Sequence, residues 1–308
     1  MTLKPIVVAG SLNLDVVVTT ERIPLEGETV LGESYEELLG GKGANQAVGA
    51  AKLGATVAMI GRVGDDSYGV RLLEGLKQAG VNASGVSPVK GPSGIALITR
   101  AQSGANSIVV IGGANQALDE TSIESAAEAI RTASVLLLQL EIPLPSVLRA
   151  ARIAADAGVP VMLDPAPAQD LPPGLLQEVT WLTPNETEAA TLLHSTEELS
   201  LEATADRLLS MGARNVALKL GERGVFLKGQ DCTSSVHLAA IAVEAVDTTA
   251  AGDCFNAAFA TQLAQGKQPA DAARYANAAA AIAVTRYGAQ NSMPTASEVE
   301  DLLKRSSA

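Results

Sequence analysis

The alternation of short apolar runs with longer helical segments is the feature of this sequence that most constrains its fold. The apolar runs are "PIVVAG", "TVAMIG", "SVLLLQLE", "VPVMLD", "VTWLTP" and "NVALKLG". The segments with helical periodicity include "ANQAVGAAKLG", "SIESAAEAIRTA", "LPSVLRAARIAADAG" and "LEATADRLLSMGA". Because strands that read as continuous apolar runs are buried on both faces, the pattern predicts an α/β fold in which helices cover a mostly parallel sheet.

Two segments depart from this rhythm. Residues 13–38 and 93–111 alternate apolar and polar side chains around Gly, Pro and Asn, which is typical of strands with one exposed face. We predict that they form a small, mainly antiparallel sheet that projects as a discontinuous lid. The α/β body then comprises residues 1–12, 39–92 and 112–308. Such a lid can close over a ligand or pair with a second copy of itself.

The segment "EAVDTTAAGDCFNAAFA" leads into an apolar helix predicted over about 253–266, followed by another over 269–287. Asp253 stands where the first of these helices begins. An Asp at this place is good capping chemistry, because its carboxylate accepts backbone N–H bonds that the first turn cannot satisfy internally. The sequence therefore predicts Asp253 as a helix cap.

The charge and cysteine content exclude several functional classes. The 308-residue chain has a formal net charge of −12, so it lacks the basic surplus that a nucleic-acid or acidic-membrane partner requires. Its two histidines and two cysteines show no zinc-ligand spacing. The apolar run at the start is too short for a signal peptide or a membrane span, so we expect a cytoplasmic protein.

Polar residues and glycines follow the apolar runs at several points. They are Ser11, Asn13, Asp15, Glu141, Asp164, Asn185, Glu188, Gly221 and Gly224. Each of them alone also fits a turn or a helix cap. Because ligands bind outside the carboxyl ends of parallel strands, their agreement predicts one binding site at that edge of the sheet.

The stretch "LLGGKGANQAVGAAKLGA" is a Gly-rich loop that opens a helix. It is not a dinucleotide fingerprint, because Gln46 stands at the third glycine position, and it is not a P-loop, because Gly43 follows Lys42. The loop allows close backbone approach to a small molecule, and the Asn45 amide can donate to and accept from hydroxyls. A sugar suits such a site.

"AAGD" has a second interpretation beside capping. The small residues Ala250, Ala251 and Gly252 leave backbone N–H groups open at a helix N-terminus, where they can stabilise a transferring phosphoryl group. Asp253 then acts as the general base for an attacking hydroxyl.

The segments "GGKGANQAVGAAKLGA" and "VDTTAAGDCFNAAFA" resemble the two signatures of the PfkB carbohydrate kinase family, in particular its ribokinase branch. The resemblance continues in "GSLNLD", "LQLE", "LDPAPA", "LTPNETEA", "LGERG" and "NAAAAIAVTRYGAQ", and so spans nearly the whole chain. It implies a three-layer ribokinase-like fold with a β-sheet lid. It also implies ATP-dependent phosphorylation of D-ribose at the 5-hydroxyl, which yields D-ribose 5-phosphate and ADP.

The resemblance assigns roles residue by residue. The sugar-contacting positions are Asn13, Asp15, Gly41, Lys42, Asn45 and Glu141, with Asp15 expected to bind two ring hydroxyls. Asp253 is the catalytic base, beside an anion hole formed by Ala250, Ala251 and Gly252. The nucleotide-site positions are Asn185, Glu188, Lys219, Gly221, Gly224, Gly252 and Asn277.

Two metal ions are implied by the same resemblance. Asn185 and Glu188 form the N-x-x-E motif linked to Mg²⁺ and phosphate. The positions expected to bind an activating K⁺, mostly through backbone carbonyls, are Asp247, Thr249, Ala283, Arg286, Gly288 and Ser292.

Three residues depart from the family pattern. Cys254 replaces a common Thr, and we predict a small packed residue rather than a reactive thiol. Lys219 replaces a Thr that often contacts the nucleotide, so it is either a cation near the ATP phosphates or a solvated lysine at a strand end. Asn277 replaces a frequent His and can still border the adenine. The segment "GAQNSMP" also differs by one residue from the usual cation loop.

Several alternatives stay open at this point. Another PfkB kinase, acting on fructose, deoxyribose or a nucleoside, is the main one, and a non-catalytic sugar or nucleotide sensor is another. An NAD-linked oxidoreductase is excluded by the missing fingerprint. We expect a homodimer that forms through the β-sheet lid.

Overall fold

A computed structural model of the chain describes residues 4–103 and 105–306. The strands in these ranges are β1 (Ile6–Ala9), β2 (Asn13–Thr20), β3 (Gly32–Gly40), β4 (Val57–Gly64), β5 (Asn82–Val89), β6 (Gly94–Ala101), β7 (Asn106–Ile111), β8 (Val135–Leu138), β9 (Val161–Leu163), β10 (Trp181–Leu182), β11 (Asn215–Lys219), β12 (Val225–Gly229) and β13 (Val236–Leu238). The α-helices are α1 (Lys42–Lys52), α2 (Ser67–Gln78), α3 (Glu120–Ser125), α4 (Ala127–Arg131), α5 (Leu144–Asp156), α6 (Glu186–Leu192), α7 (Leu201–Ser210), α8 (Ala251–Ala264), α9 (Pro269–Ala283) and α10 (Ala296–Ser306). Residues 1–3, 104 and 307–308, which belong to the predicted body and lid, lie outside the described residues.

The larger sheet has the strand order β13-β12-β11-β10-β9-β8-β1-β4-β5. All its pairings from β5 to β11 are parallel, whereas β12 is antiparallel to both β11 and β13. After β1 the chain fills one side of the sheet with β4 and β5, and it then continues on the other side at β8. The carboxyl ends of β1 and β8 therefore flank the topological switch point, where open parallel sheets bind ligands.

Helices cover both faces of this sheet, as the three-layer prediction requires. One core cluster contains side chains of α1, α2, α8 and α9, and the other contains side chains of α3 to α7. Strand β1 contributes Ile6 and Val8 to the first cluster and Val7 and Ala9 to the second. Burial on both faces explains why the strands read as continuous apolar runs.

The smaller sheet has the order β3-β2-β6-β7. The β2–β3 and β6–β7 pairings are antiparallel, but the central β2–β6 pairing is parallel. This mixture arises because each of the two separate segments contributes one hairpin, and the first strands of the two hairpins lie side by side. The boundary between body and lid stays a prediction.

Some elements differ from the sequence prediction. Strands β5, β12 and β13 and helices α2 and α6 were not predicted, and "SIESAAEAIRTA" forms two short helices, α3 and α4. The predicted helix over 269–287 ends at Ala283. No helix in the described part of the chain is long and apolar enough to cross a membrane.

Candidate active site

The candidate site opens at the carboxyl ends of β1 and β8. Ser11 follows β1, and its hydroxyl donates to Oε2 of Glu141, which lies just beyond β8. The same carboxylate oxygen accepts the backbone N–H of Lys42, the first residue of α1, at 3.2 Å. These bonds join two predicted sugar-site residues, Lys42 and Glu141, at the switch point of the sheet.

The Gly-rich loop brings α1 close to β2. Gly41 has a φ of 88°, in the left-handed region that favours glycine. A Cβ at this position would lie 2.6 Å from the backbone nitrogen of Asn13, so no side chain fits there. The loop, which was predicted to let a small molecule approach its backbone, thus also packs against the backbone before β2. This packing brings the start of α1 next to Asn13.

Asp253 lies in the first turn of α8, which begins at Ala251 rather than at residue 253. The predicted capping role is wrong. The carboxylate instead accepts from two side-chain amides of α1, Asn45 Nδ2 and Gln46 Nε2, each at 3.0 Å. Asp253 is 5% exposed, so these two amides hold a buried carboxylate in one orientation.

The electrostatic surroundings of Asp253 make it a stronger base than an ordinary aspartate. Burial raises the pKa of its carboxyl above the usual range; the nearby charge of Lys42 lowers it, and the negative charge of Asp164 raises it further. The amides of Asn45 and Gln46 favour the ionised form. A raised pKa suits a general base, because the efficiency of proton transfer is greatest when the pKa lies near the operating pH.

Gln46 was not predicted as a site residue, yet it connects two carboxylates. Its Nε2 donates to Asp164 Oδ2 and to Asp253 Oδ1, both at 3.0 Å. Its Oε1 accepts from Nε2 of Gln139 at 2.7 Å, which fixes the orientation of the amide. Gln46, Asp164 and Gln139 are all buried. The one sequence signal for Gln46 is its position beside Asn45 at the start of the Gly-rich helix.

The N-terminus of α8 presents unpaired backbone donors. Ala250, immediately before the helix, has a left-handed φ of 58°, and the Ala251 N–H donates to the carbonyl of Thr248 at 3.2 Å. The N–H groups of Gly252 and Asp253 have no acceptor among residues 4–103 and 105–306. Free N–H groups at a helix N-terminus favour a bound anion. Of the predicted anion-hole amides, those of Ala250 and Gly252 have no acceptor among the described residues, whereas that of Ala251 is paired.

Lys219 ends β11 and points into the same region. Its Nζ donates to Asp164 Oδ1 at 2.9 Å, and the exposed fractions of the two side chains are 12% and 3%. A methyl group built on Gly252 would lie 3.2 Å from this Nζ. The interpretation of Lys219 as a solvated lysine is therefore wrong, because its ammonium lies in the site.

Asn13 is oriented by a residue that the sequence analysis missed. The Nδ2 of Asn115 donates to Oδ1 of Asn13 at 2.7 Å, and Oδ1 of Asn115 accepts the backbone N–H of Leu12 at 2.9 Å. Asn115 is 1% exposed and lies more than one hundred residues away in sequence. No local pattern marks it, because its role depends on that distant partner.

Asp15 lacks hydrogen-bond donors. It is 9% exposed, and in the described part of the chain no residue donates to its carboxylate. Burial raises the pKa of Asp15 to about 7, and the charges of Glu141 and Asp253 contribute to the rise. The Oδ1 of Asn45 is also buried without a partner. Because buried polar atoms are normally hydrogen-bonded, the Asn45 oxygen points to a donor on a ligand. The mostly buried Asp15 carboxylate can accept further hydroxyl donors from the same ligand.

Lys42 is half-buried among carboxylates. Burial by itself lowers its pKa, but the surrounding negative charges outweigh this and raise the pKa above the usual range. The carboxylates responsible are Asp253, Asp164, Glu141 and Glu188. The Lys42 ammonium is therefore charged at any physiological pH.

The N-x-x-E motif forms the start of α6. Asn185 Oδ1 accepts the backbone N–H of Glu188, and Glu188 Oε2 accepts the backbone N–H of Asn185, both at 2.7 Å. The motif is thus a capping box. Oε1 of Glu188 accepts no bond from a described residue. Burial raises the pKa of Glu188, although the nearby charge of Lys219 lowers it.

Two of the other predicted nucleotide residues, Gly224 and Asn277, meet at the end of β13. Gly221 and Gly224, with φ values of 58° and 94°, form the turn between β11 and β12. A Cβ on Gly224 would lie 2.0 Å from the carbonyl oxygen of Leu238. Asn277 of α9 donates to the carbonyls of Leu238 and Ala239 at 3.2 Å. The structure therefore brings Gly224 and Asn277 to one place.

Asp247 organises the predicted cation loop. Its Oδ1 and Oδ2 accept the backbone N–H groups of Thr249 and Gly288 at 2.9 and 3.0 Å. Burial raises the pKa of Asp247, but these bonds outweigh it and lower the pKa. Among the described residues, no donor bonds to the carbonyls of Thr249, Arg286 or Gly288. Carboxylate and carbonyl oxygens are suitable ligands for a hard cation.

Other members of the predicted cation set have protein partners. The Ala283 carbonyl accepts the N–H of Arg286 at 3.0 Å, and the Ser292 hydroxyl donates to the carbonyl of Ala289 at 2.7 Å. In the part of the chain that is described, no group of three or more His, Cys, Asp or Glu side chains could hold a metal ion. A divalent ion bound anywhere among the described residues would therefore need oxygens from a bound substrate as well.

A cavity of about 230 Å³ lies between the smaller sheet and the loops around Asp247 and Gly288. Asp15 and Asp247 both line it. The guanidinium carbon of Arg100, on β6, lies 4.5 Å from the centre of the Tyr287 ring in the body. The smaller sheet thus contacts the loop after α9 beside the candidate sugar and cation positions.

Cys254 is fully buried, and burial raises the pKa of its thiol to about 12. At physiological pH a thiol with this pKa is neutral and unreactive. The prediction of a small packed residue is confirmed.

The chain resembles known proteins in both sequence and structure. Residues 3–296 match the model of the pfkB family carbohydrate kinases. A ribokinase of Bacillus subtilis is 43% identical over 98% of this chain and 100% of its own length. The structure of Arabidopsis thaliana ribokinase complexed with ribose and ATP is 38% identical, with a TM-score of 0.92 over 98% of this chain and 99% of that one. A deoxyribokinase of Salmonella typhi is 35% identical over 97% of this chain and 98% of its own length. This chain therefore belongs to the pfkB family of carbohydrate kinases.

Proposed function

We propose that the protein transfers the γ-phosphate of ATP to the 5-hydroxyl of D-ribose and releases D-ribose 5-phosphate and ADP. The observation that carries the proposal is the buried carboxylate of Asp15, which accepts no hydrogen bond from a described residue. Asp15 is close enough to Asp253 for the charge of Asp253 to raise the pKa of Asp15. Two ring hydroxyls of ribose supply donors to Asp15, and the primary hydroxyl reaches Asp253. The ribose and ATP complex of the Arabidopsis relative supports the same pair of substrates.

Different residues of the site have different roles in the transfer of the phosphoryl group. The oxygen of the 5-hydroxyl forms a bond to the γ-phosphorus, and the bond between that phosphorus and ADP breaks. Asp253 accepts the proton that the 5-hydroxyl loses. In a loose transition state the proton leaves late, so a carboxylate is a sufficient base. The free N–H groups at the start of α8 and the Lys42 ammonium stabilise the negative charge of the transferring group.

Mg²⁺ and K⁺ fit the remaining oxygen donors. Glu188 has an oxygen that no described donor occupies, and together with the nucleotide phosphates it would hold Mg²⁺, which neutralises phosphate charge. The Asp247 carboxylate and the free carbonyls of Thr249, Arg286 and Gly288 would hold K⁺. A cation bound there would help to hold the loop before α8 in place.

Three further proposals concern the molecule as a whole. The smaller sheet, with its two segments, acts as a lid over the sugar, and Arg100 contacts Tyr287 where the lid meets the body. The lid also provides the surface of a homodimer, because its β7 is exposed along its entire length. The protein acts in the cytoplasm.

One relative favours a second candidate, phosphorylation of 2-deoxyribose. The Salmonella typhi relative is a deoxyribokinase. A sugar without the 2-hydroxyl leaves a buried acceptor of the site unpaired, which costs about 1–3 kcal/mol. On this ground we expect kcat/KM for ribose to exceed that for deoxyribose by roughly tenfold or more.

A coupled assay of ADP release tests the proposal. Wild-type protein with MgATP is given D-ribose, 2-deoxy-D-ribose or D-fructose, in K⁺ or in Na⁺, and ³¹P NMR identifies the phosphorylated position. We expect the highest kcat/KM for ribose, a 5-phosphate product and stimulation by K⁺. A preference for another sugar contradicts the substrate assignment, and sugar binding without ADP release supports the sensor instead.

A further inference from the structure

The pairing of Lys219 with Asp164 is unusual for its location. Both side chains are largely buried; Lys219 ends β11, and Asp164 directly follows β9. Removing two charges from water is costly, so a buried pair is weak support for stability by itself. A pair placed close to Gly252 at the start of α8 calls for a functional explanation.

The Lys219 ammonium has unused bonding capacity. It carries three N–H donors, and Asp164 accepts one of them. No other acceptor for Nζ exists among the residues that the structure describes. A methyl group built on Gly252 would lie 3.2 Å from Nζ, so the ammonium lies close to Gly252, whose N–H has no acceptor among the described residues. A positive charge and open amides together form a site for an oxyanion.

The backbone of Lys219 is held as firmly as its side chain. Its N–H donates to the carbonyl of Pro184 at 2.8 Å, which places it beside Asn185 at the start of α6. On the other side, Asp164 Oδ2 accepts from Gln46, which also donates to Asp253. The chain of contacts Lys219–Asp164–Gln46–Asp253 therefore gives the ammonium a defined position relative to the catalytic carboxylate.

We propose that Lys219 binds the transferring γ-phosphate directly and stabilises its charge, with Asp164 as the positioning residue that holds the ammonium beside Gly252. This inference rests on the proposed kinase function. Lys219 keeps its three protons throughout the transfer, since the proton of the sugar hydroxyl passes to Asp253. The assignment to the γ-phosphate follows from position: Gly252 directly precedes Asp253, the proposed base, and the transferring group must approach the hydroxyl that this base deprotonates.

The test compares nucleotides with and without a γ-phosphate. Lys219→Met alone leaves the buried Asp164 carboxylate without its ion-pair partner, although Gln46 still donates to it, so the double variant Lys219→Met/Asp164→Asn is made as well. Calorimetry measures the affinity of each for ADP and for the non-hydrolysable analogue AMP-PNP, with Mg²⁺ and without sugar. Lys228→Met is the matched control, because Lys228 is a partly buried lysine of β12 that is paired with Asp206 at 2.7 Å.

We expect the double variant to lose about tenfold or more in affinity for AMP-PNP while its affinity for ADP changes by less than about threefold. Its kcat with ribose falls by about 10² to 10³, whereas Lys228→Met resembles wild type. An unchanged ratio of the two affinities contradicts the proposal, whether both affinities fall or neither does. Because binding is measured without sugar, this result is independent of whether ribose is the correct acceptor.

Discussion

Asp253 combines two properties that a catalytic base needs, an elevated pKa and a fixed direction. Burial raises the pKa, and the two amide donors from α1 prevent the carboxylate from rotating. The substitution Asp253→Asn removes the negative charge of the carboxylate and keeps the shape of the side chain. An Asn at this position cannot accept the proton of the attacking hydroxyl.

We expect Asp253→Asn to lower kcat by about 10² to 10⁴ while the KM for the sugar stays within a few-fold of wild type. Steady-state kinetics at saturating MgATP measure both constants. Asp271→Asn is the control, since Asp271 is an exposed acidic residue in the first turn of the neighbouring helix α9. Turnover near the wild-type rate in the Asp253 variant would show that another group takes the proton.

The raised pKa of Asp15 predicts how sugar binding depends on pH. Its pKa is raised to about 7 by burial and by the charges of Glu141 and Asp253, so the free protein carries a protonated Asp15 below pH 7. A protonated carboxyl cannot accept from two hydroxyls with both oxygens. Sugar affinity therefore rises with pH, and the apparent Kd falls about tenfold between pH 6 and pH 8.

Calorimetric titration of ribose across this pH range, without nucleotide, checks the prediction. Asp15→Asn is the informative comparison, because its amide does not titrate and its weaker affinity should vary little with pH. A wild-type Kd that is constant from pH 6 to pH 8 would mean that Asp15 is already ionised in the free protein.

Residues recognised from the sequence differ from those missed in one physical respect. Asp253, Asn45 and Glu141 belong to local patterns, a strand end or a Gly-rich helix start, and these patterns have a chemical meaning of their own. Gln46 and Asn115 act through partners 93 or more residues away, and a buried amide is chemically neutral until its partner is known. Sequence reasoning could therefore single out the candidate reacting groups but not the side chains that orient them.

At the scale of elements, burial decided which strands were predictable. Strands β1 and β8 are buried on both faces and appear as continuous apolar runs. Strand β5, at the edge of the sheet, is mostly exposed or half-buried, and its sequence "NASGVSPV" contains too few apolar residues to stand out. The antiparallel strands β12 and β13 follow a turn whose two glycines were interpreted only as nucleotide contacts. The edge strands β5 and β13 were missed because the sheet interior does not constrain their composition. Strand β12 is an exception: it is an interior strand with a buried "VFL" run, and it was missed because the turn before it was interpreted only for function.

The loop that leads into α8 contains one strained residue. Ala250 has a left-handed φ of 58°, a conformation that is unfavourable for a residue with a Cβ. Ala250→Gly removes this penalty, so we expect the free energy of unfolding to increase by about 1 kcal/mol. Urea denaturation measures the change.

Ala251→Gly is the matched control for that variant. Ala251 is the first residue of α8, where a glycine adds flexibility without relieving strain, so we expect a decrease of up to about 1 kcal/mol. Equal effects of the two substitutions would show that the conformation of Ala250 has no energetic cost.

At the scale of the whole molecule, the acidic character of the chain extends into its site. Two ammonium groups, of Lys42 and Lys219, face a larger set of carboxylates, namely those of Asp15, Glu141, Asp164, Glu188 and Asp253. Since ATP adds further negative charge, binding requires compensation from metal ions and from the N–H groups of α8. The negative net charge therefore supports the proposed metal dependence and does not argue against an anionic substrate.

The smaller sheet is the surface most suited to self-association. Leu97, Ile108, Val109 and Val110 are each more than 40% exposed, and β7 lies at an edge with unpaired backbone groups. Exposed apolar edge strands are unfavourable on an isolated protein and pair readily with a second copy. We therefore expect a homodimer in which the small sheets of two subunits pack together.

A charge in this surface should separate the subunits. We expect Val109→Asp to convert the dimer to a monomer in size-exclusion chromatography with light scattering at micromolar concentration, because a carboxylate would be buried without a partner at the interface. Val70→Asp is the matched control, since Val70 on α2 is 57% exposed against 58% for Val109 but belongs to the body. A monomeric wild-type protein, or dissociation by both substitutions alike, would contradict the lid as the interface. The alternation of apolar and polar residues in 93–111 would then reflect a lid that functions within a single subunit.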